Sequence, residues 1–206
     1  MNVKCCHFRF GPRLMSLLSC QRIAPNYSTF KPVNIEEIRS EFRAYGNGRI
    51  HFQTAENNIG IIKLDYPEKK NAISGKMMSE FYDIMTSLEK RPDIKGLILT
   101  AEGDFFCAGG DKQTILTHLT SPEMGWKMTC LMHATLKKFS TLPALSVALV
   151  HGRALGGGAE LCLAPDLRIF AEKNGKLSFV QAGLPTMMDL LYYKLFVEMY
   201  IEANHS

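Results

Sequence analysis

Apolar positions along the chain switch between two periods. Ile50-His51-Phe52-Gln53 alternates apolar and polar residues, and Ile59-Gly60-Ile61-Ile62-Lys63-Leu64 is a nearly continuous apolar run. Both read as strands, joined by a hairpin turn at Asn57-Asn58. Beyond Pro67 the period becomes helical. Met77, Met78, Phe81, Ile84, Met85 and Leu88 recur at helix spacing between about Gly75 and Lys90, with Ser74 placed to cap the first turn. This stripe is assigned to the core. Arg91-Pro92-Asp93 ends the helix, and Gly96-Leu97-Ile98-Leu99-Thr100 is a buried strand bounded by Glu102-Gly103. A helical segment follows Asp111. Another runs from about Pro122 to Ser140 with Met128, Leu131, Met132 and Leu136 on one stripe, and Pro143 stops it. Leu145 to Val150 is again a buried strand, Gly152 to Leu163 a glycine loop entering a helix, and Leu167 to Phe170 a short strand. Strands alternating with helices predict an α/β fold. The repeating element is closer to β-β-α than to a strict β-α-β unit.

The pattern divides the chain into three stretches: residues 1–45, a leader and charged approach segment; residues 46–181, the core; and residues 182–206, a divergent helix-like tail. Ile35-Glu36-Glu37-Ile38 with Phe42 forms an amphipathic turn or two within the first stretch. The residues before it carry Lys4, Arg9, Arg13, Arg22 and Lys31 and no acid ahead of Glu36. That composition fits a transit peptide or a basic leader without targeting function. Gly46-Asn47-Gly48 is a turn, and not a dinucleotide loop, because no helix pattern follows it and a third glycine is missing.

The 206 residues are 46% hydrophobic and 21% charged, which fits one globular domain. A net charge of +4 does not argue for nucleic acid; a solvated basic surface is the default and a phosphorylated small ligand would suit it equally. The six cysteines (Cys5, Cys6, Cys20, Cys107, Cys130 and Cys162) form no C-x-x-C pair, which argues against structural zinc and fits a reducing compartment. No apolar run reaches the roughly 20 residues that span a bilayer. Neither a nucleic-acid nor a membrane partner is expected, and no metal.

Two loops hold the candidate chemistry. Phe105-Phe106-Cys107-Ala108-Gly109-Gly110-Asp111 follows the strand ending near Thr100. His151-Gly152-Arg153-Ala154-Leu155-Gly156-Gly157-Gly158-Ala159-Glu160 follows the strand ending at Val150. In each, a buried strand runs into glycines and then a helix, where free backbone N–H groups point outward. Small residues let a ligand carbonyl approach the main chain. Two such loops converging would form an oxyanion hole of backbone donors. For one loop alone, close helix–strand packing is the simpler explanation; two at the ends of successive buried strands favour ligand recognition. Glu160 is the titratable group beside the second set of glycines. It is a candidate proton donor or carboxylate-positioning group, or a first-turn acid complementing the helix dipole. Asp111 is expected to cap its helix. His151 is read as structural, Cys107 as small and buried, Arg153 as surface-exposed, and Trp126 as a core or oligomer contact.

The loop pair resembles the enoyl-CoA hydratase/isomerase (crotonase) superfamily. Pro67-Glu68-Lys69-Lys70-Asn71-Ala72 is similar to its CoA-side motif, Phe106 to Asp111 to its first oxyanion loop and Gly152 to Glu160 to its second. The likeness runs from about Asn57 to Val180. It implies a crotonase-like spiral of β-β-α units, here incomplete at the C-terminus. It implies an acyl-CoA thioester as substrate, with coenzyme A part of that substrate and no separate cofactor. By resemblance the amides of Ala108 and Gly157 hold the thioester oxygen, with Glu160 beside them. Lys69, Lys70 and Ala72 lie along the CoA moiety, with Lys69 or Lys70 near phosphate, and Gly109, Gly110, Asp111 and Gly156 complete the binding surface. The second loop is most similar to family members that decarboxylate ethylmalonyl-CoA, which implies a cytosolic repair activity on ethylmalonyl- or methylmalonyl-CoA. The basic leader leaves mitochondrial import as the alternative.

The chain also departs from the family. Hydratases carry a second acid after the strand here ending at Val180, and this chain has no Asp or Glu from Lys173 through Met188. That counts against hydration, which needs two carboxylates, although hydratase or isomerase activity stays open as an alternative. After Phe179-Val180-Gln181 the pattern stops, and the helices that close the acyl pocket and mediate trimer contacts in the family do not follow. The chain therefore reads as a truncated or alternatively spliced form, with weak or no activity expected. A non-catalytic fragment that binds CoA or pairs with full-length subunits is the further alternative.

Overall fold

A computed structural model describes residues 3–7 and 33–178. Residues 8–32 of the expected leader, the strand end at Val180 and the tail at 182–206 lie outside the described residues. Val3–His7 forms strand β1. The helix expected near Ile35 is α1 (Ile35–Phe42), capped by the Asn34 side chain.

The predicted hairpin is β2 (Arg49–Ala55) and β3 (Ile59–Asp65), paired antiparallel. It turns at Asn57 and Asn58, both in the left-handed region at φ 59° and 60°, where Asn is better tolerated than most residues. Strand β4 (Gly96–Ala101) lies parallel to β3, β6 (Leu145–Val150) parallel to β4, and β8 (Leu167–Ala171) parallel to β6. With β1 antiparallel on β8, the large sheet has the order β1-β8-β6-β4-β3-β2. A second sheet is built from three short parallel strands, β5 (Phe105–Cys107), β7 (Arg153–Leu155) and β9 (Lys176–Ser178), in that order.

The chain alternates between the sheets. It runs β4 then β5, β6 then β7, β8 then β9, with helices after the first two pairs. This is the β-β-α spiral expected from the sequence. The small-sheet strands were not separable there. In sequence Phe105–Cys107 and Arg153–Leu155 merge into the glycine loops, because three residues beside glycines are too short to show an alternation.

Helix α2 (Gly75–Leu88) begins where Ser74 accepts from the Met77 amide at 3.2 Å. Helix α3 (Lys112–His118) is capped by Asp111, and α4 (Pro122–Thr141) by Ser121 with Pro122 in its first turn, the position where proline's missing N–H costs least. Helix α5 (Gly157–Leu161) follows the second glycine loop. Ile62, Leu64, Leu97, Leu99, Ala148 and Val150 of the large sheet share one core with Met77, Phe81 and Met85 of α2 and Leu131 and Phe139 of α4. The rings of Phe81 and Phe139 meet at 6.1 Å. Arg39 of α1 and Arg43 at its C-terminal cap both reach Asp83 of α2, and Lys127 of α4 reaches Glu41. Half-exposed pairs of this kind contribute about 0–1 kcal/mol each, so they orient the helices while the core supplies stability.

Leu99→Ala is expected to cost about 2–5 kcal/mol, from lost burial and the cavity it leaves. Ser74→Ala should cost about 1–2 kcal/mol, towards the upper end because the same hydroxyl also donates to the Asn47 carbonyl. The shift of urea denaturation midpoints measures both, and the larger effect should belong to Leu99.

Candidate active site

Parallel pairing of β5 with β7 matches Phe105 to Arg153 and Cys107 to Ala154, with a register irregularity between Phe105 and Cys107. Adjacent parallel strands end at the same edge, so the loops after them leave side by side. A side-chain carbon placed on Gly157 would lie 3.9 Å from the Gly109 Cα and 3.9 Å from the Gly110 amide nitrogen. One placed on Gly109 would lie 3.4 Å from the Gly157 nitrogen and 3.0 Å from the Leu155 carbonyl oxygen. The two glycine loops expected from the sequence therefore converge. Gly109 has φ +96° and Gly156 φ +53°, conformations that L side chains rarely adopt.

The first loop is tied on its other side to the segment around Lys69 to Ile73. The Ala108 amide donates to the Lys70 carbonyl at 2.9 Å, the Ile73 amide to the Gly109 carbonyl at 2.7 Å, and the Asp111 amide to the Ile73 carbonyl at 2.8 Å. This corrects the expectation for Ala108, whose N–H is already engaged by the protein. The direction of the remaining amide follows from parallel-strand geometry. In the bridge between Ile73 and Gly110, Ile73 makes both hydrogen bonds, so the N–H and C=O of Gly110 point away from it. Among the described residues no acceptor is paired with the amides of Gly110, Gly157 or Gly158. Gly110 is exposed and Gly157 half-buried, so a ligand can reach both. The unengaged amide of the first loop thus lies at Gly110, two residues after Ala108. The missing information was the register against Ile73, set by a contact 37 positions away in the chain.

Glu160 sits in the first turn of α5, 3% exposed. Its Oε2 lies 3.8 Å from where a Gly157 side-chain carbon would be, so the carboxyl group is beside the converging amides. The helix itself is held close to β5: a side-chain carbon on Gly158 would fall 2.4 Å from the Cys107 carbonyl oxygen. Arg168, buried on β8, donates from Nη1 to the carbonyls of Cys162, Leu163 and Pro165 and closes the far end of α5. The Gly156 amide is bound to the Ser178 carbonyl of β9 at 2.9 Å.

The CoA-side candidates divide. Lys69 and Lys70 are exposed and stand next to the first loop through the Ala108–Lys70 bond. The Lys70 ammonium rests 4.9 Å from the centre of the Phe105 ring. Ala72 is buried, with its amide on the Lys69 carbonyl, so it supports the loop from within. Asp111 is buried and accepts from the Thr114 amide at 3.0 Å and the Thr114 hydroxyl at 2.6 Å. Asp111 also lines a cleft of about 150 Å³, whose walls include Asn47, Tyr66, Gln113, Thr117 and His118. Burial, with Asp111 and Glu68 nearby, holds the Tyr66 phenol above its ordinary pKa, so it remains a hydrogen-bond donor there.

Cys107 lies fully buried under the first loop, and burial pushes its thiol up to about 12. Burial, with Cys107 beside it, also raises Cys162. Both are packing groups. His151 bonds the Gly103 carbonyl at 2.8 Å, Arg153 is exposed, and Trp126 packs partly buried against the core. Among the described residues no helix is long and apolar enough to cross a membrane.

Cys107 and Cys162 should resist iodoacetamide at neutral pH in the folded chain and react once it is unfolded in urea, as peptide mapping would report. Gly158→Ala should destabilise by about 1–3 kcal/mol through overpacking, whereas Gly157→Ala, whose new carbon meets nothing closer than 3.8 Å, should shift the denaturation midpoint little.

Comparisons with known proteins agree with this geometry. The family described as Enoyl-CoA hydratase/isomerase matches residues 54–193, extending past residue 181 into the segment read from the sequence as a divergent tail. The mouse ethylmalonyl-CoA decarboxylase is 38% identical over 148 residues, 72% of this chain and 46% of that protein. The human protein of the same name is 38% identical over 154 residues, 75% of this chain and 50% of that one. The chain spans about half the length of the curated relatives it matches. A crystal structure of an enoyl-CoA hydratase from Bacillus anthracis superposes with a TM-score of 0.58 at 30% identity, covering 62% of this chain and 49% of the other. Converging glycine loops on a two-sheet β-β-α spiral, together with a family match over more than half the residues, establish that the chain belongs to the enoyl-CoA hydratase/isomerase family.

Proposed function

We propose that the converging loops bind the thioester of an acyl-CoA and promote decarboxylation of ethylmalonyl-CoA or methylmalonyl-CoA. The observation that carries this reading is the pair of accessible amides at Gly110 and Gly157, with a carboxyl group buried beside them. When the bond from Cα to the carboxylate breaks, carbon dioxide leaves and the electron pair moves into the thioester, placing negative charge on its oxygen. Donors already fixed in position stabilise that enolate more than the neutral carbonyl, which lowers the barrier. The proton that then reaches Cα comes from Glu160 or from solvent under its control. Lys69 and Lys70 present positive charge on the side where the CoA phosphates would lie.

Decarboxylation is preferred to hydration because hydration requires a second carboxyl group opposite the first, and residues 173–188 contain no Asp or Glu. The names of the curated relatives point the same way. A cytosolic location belongs to this reading; imaging a reporter fused to residues 1–45 tests import as the alternative.

The purified chain is expected to bind butyryl-CoA in a calorimetric titration. It should also release carbon dioxide from ethylmalonyl-CoA above the uncatalysed rate, more slowly than a full-length relative. Gly157→Pro removes one donor at the first position of a helix, where proline is best tolerated. It should lower that rate about 10²–10³-fold while leaving the fold intact by circular dichroism. Hydration of a 2-enoyl-CoA without decarboxylation would replace this reading with the hydratase one.

A further inference from the structure

Asn71 is fully buried between the CoA-side loop and the first glycine loop, and its side chain makes three hydrogen bonds. Oδ1 accepts from the Tyr66 amide at 2.8 Å, and Nδ2 donates to the Glu102 carbonyl at 2.7 Å and the Phe105 carbonyl at 2.8 Å. The first bond closes the 66–71 loop on itself. The other two fasten that loop to the chain on either side of the entry into β5. Lys70 and Asn71 both hold φ 54°, a left-handed pair that reverses the backbone so that the Lys70 carbonyl faces Ala108. The segment leaving this reversal, through Ile73, engages the Ala108 amide, the Gly109 carbonyl and the Asp111 amide. With those three groups tied to one side, the Gly110 amide is turned to the other, and its nitrogen lies 3.9 Å from where a side-chain carbon of Gly157 would be.

We propose that Asn71 is the positioning residue of the thioester site: its amide clamp sets the direction of the Gly110 N–H without touching the ligand. This rests on the reading of Gly110 and Gly157 as thioester donors. The amide group is required because it supplies one acceptor and two donors in a planar arrangement. Aspartate at the same place would set a carboxylate oxygen against two carbonyls. A role confined to stability would lower the unfolding midpoint and leave the local backbone and the ligand carbonyl as they are in the folded fraction.

The test uses the whole chain with Asn71→Asp and Asn71→Gly, the second retaining the left-handed backbone while deleting the clamp. Residue-resolved amide exchange should quicken at Ala108 and Asp111 by roughly tenfold or more, while Leu99 and Met85 in the core keep their protection. In parallel, infrared spectra of bound butyryl-CoA labelled with ¹³C at the thioester carbonyl should show a stretch lowered by the parent chain and largely restored to its free value in both variants. Parent-like exchange at Ala108 and Asp111, or a parent-like carbonyl stretch in a variant that binds, overturns the role of Asn71. A bound carbonyl left unshifted by the parent itself would instead sink the thioester-donor reading. Should both variants fail to fold, the parent still decides the clamp. Its Asn71 side-chain NH₂ must show slow exchange and scalar coupling across hydrogen bonds to the carbonyl carbons of residues 102 and 105, and their absence removes the proposal.

Discussion

The close parallel contact between β5 and β7 is the constraint on which the site depends. Two short strands, matched at Phe105–Arg153 and Cys107–Ala154, bring together loops that lie nearly fifty residues apart in the chain. Glycine sits where the approach is tightest. At Gly158 a side-chain carbon would fall within 2.4 Å of the Cys107 carbonyl oxygen, and at Gly152 within 2.1 Å of the Asp104 carbonyl oxygen. These distances are well inside van der Waals contact. Any side chain there would separate the strands and, with them, the loops.

A second constraint acts on the first loop from its far side. Parallel pairing satisfies backbone groups on one flank only and leaves the intervening residue facing the other way. The loop is therefore held like an edge strand, paired with the protein on one flank and open on the other. The amides of Gly110 and Gly157, on two adjoining loops, are left unengaged by the protein and accessible. Glu160 is buried beside Gly157, whereas Lys69 and Lys70 are exposed next to the first loop.

The surrounding core supports this arrangement without taking part in it. Helices α2 and α4 cover one face of the large sheet with Met77, Phe81, Leu131 and Phe139. Strands β4 and β6 then deliver the chain to the small sheet at a fixed height, set by the register of Gly96 with Leu145. Cys107 and Cys162, with thiols raised by burial, fill space under the loops that a larger or charged group would disturb.

Much of this was legible in the residues themselves. Helix α2, with Ser74 as its cap and Met77, Phe81 and Met85 as its buried stripe, follows from periodicity and capping, both local properties. The same holds for the hairpin at Asn57-Asn58 and for the buried runs of β4 and β6, and the two glycine loops were recognisable as sites of close backbone approach. The small sheet was not, because three-residue strands carry no period and exist only through their neighbours. Nor was the amide of the first loop that the protein leaves unengaged. The sequence pointed to Ala108; its amide is bonded to Lys70 and that of Gly110 is turned away from Ile73, a register fixed by hydrogen bonds to a segment far away in the chain. Residue type along the chain determined where backbone amides could be exposed; tertiary pairing decided which of them are, because each N–H has one direction and that direction belongs to the partner strand.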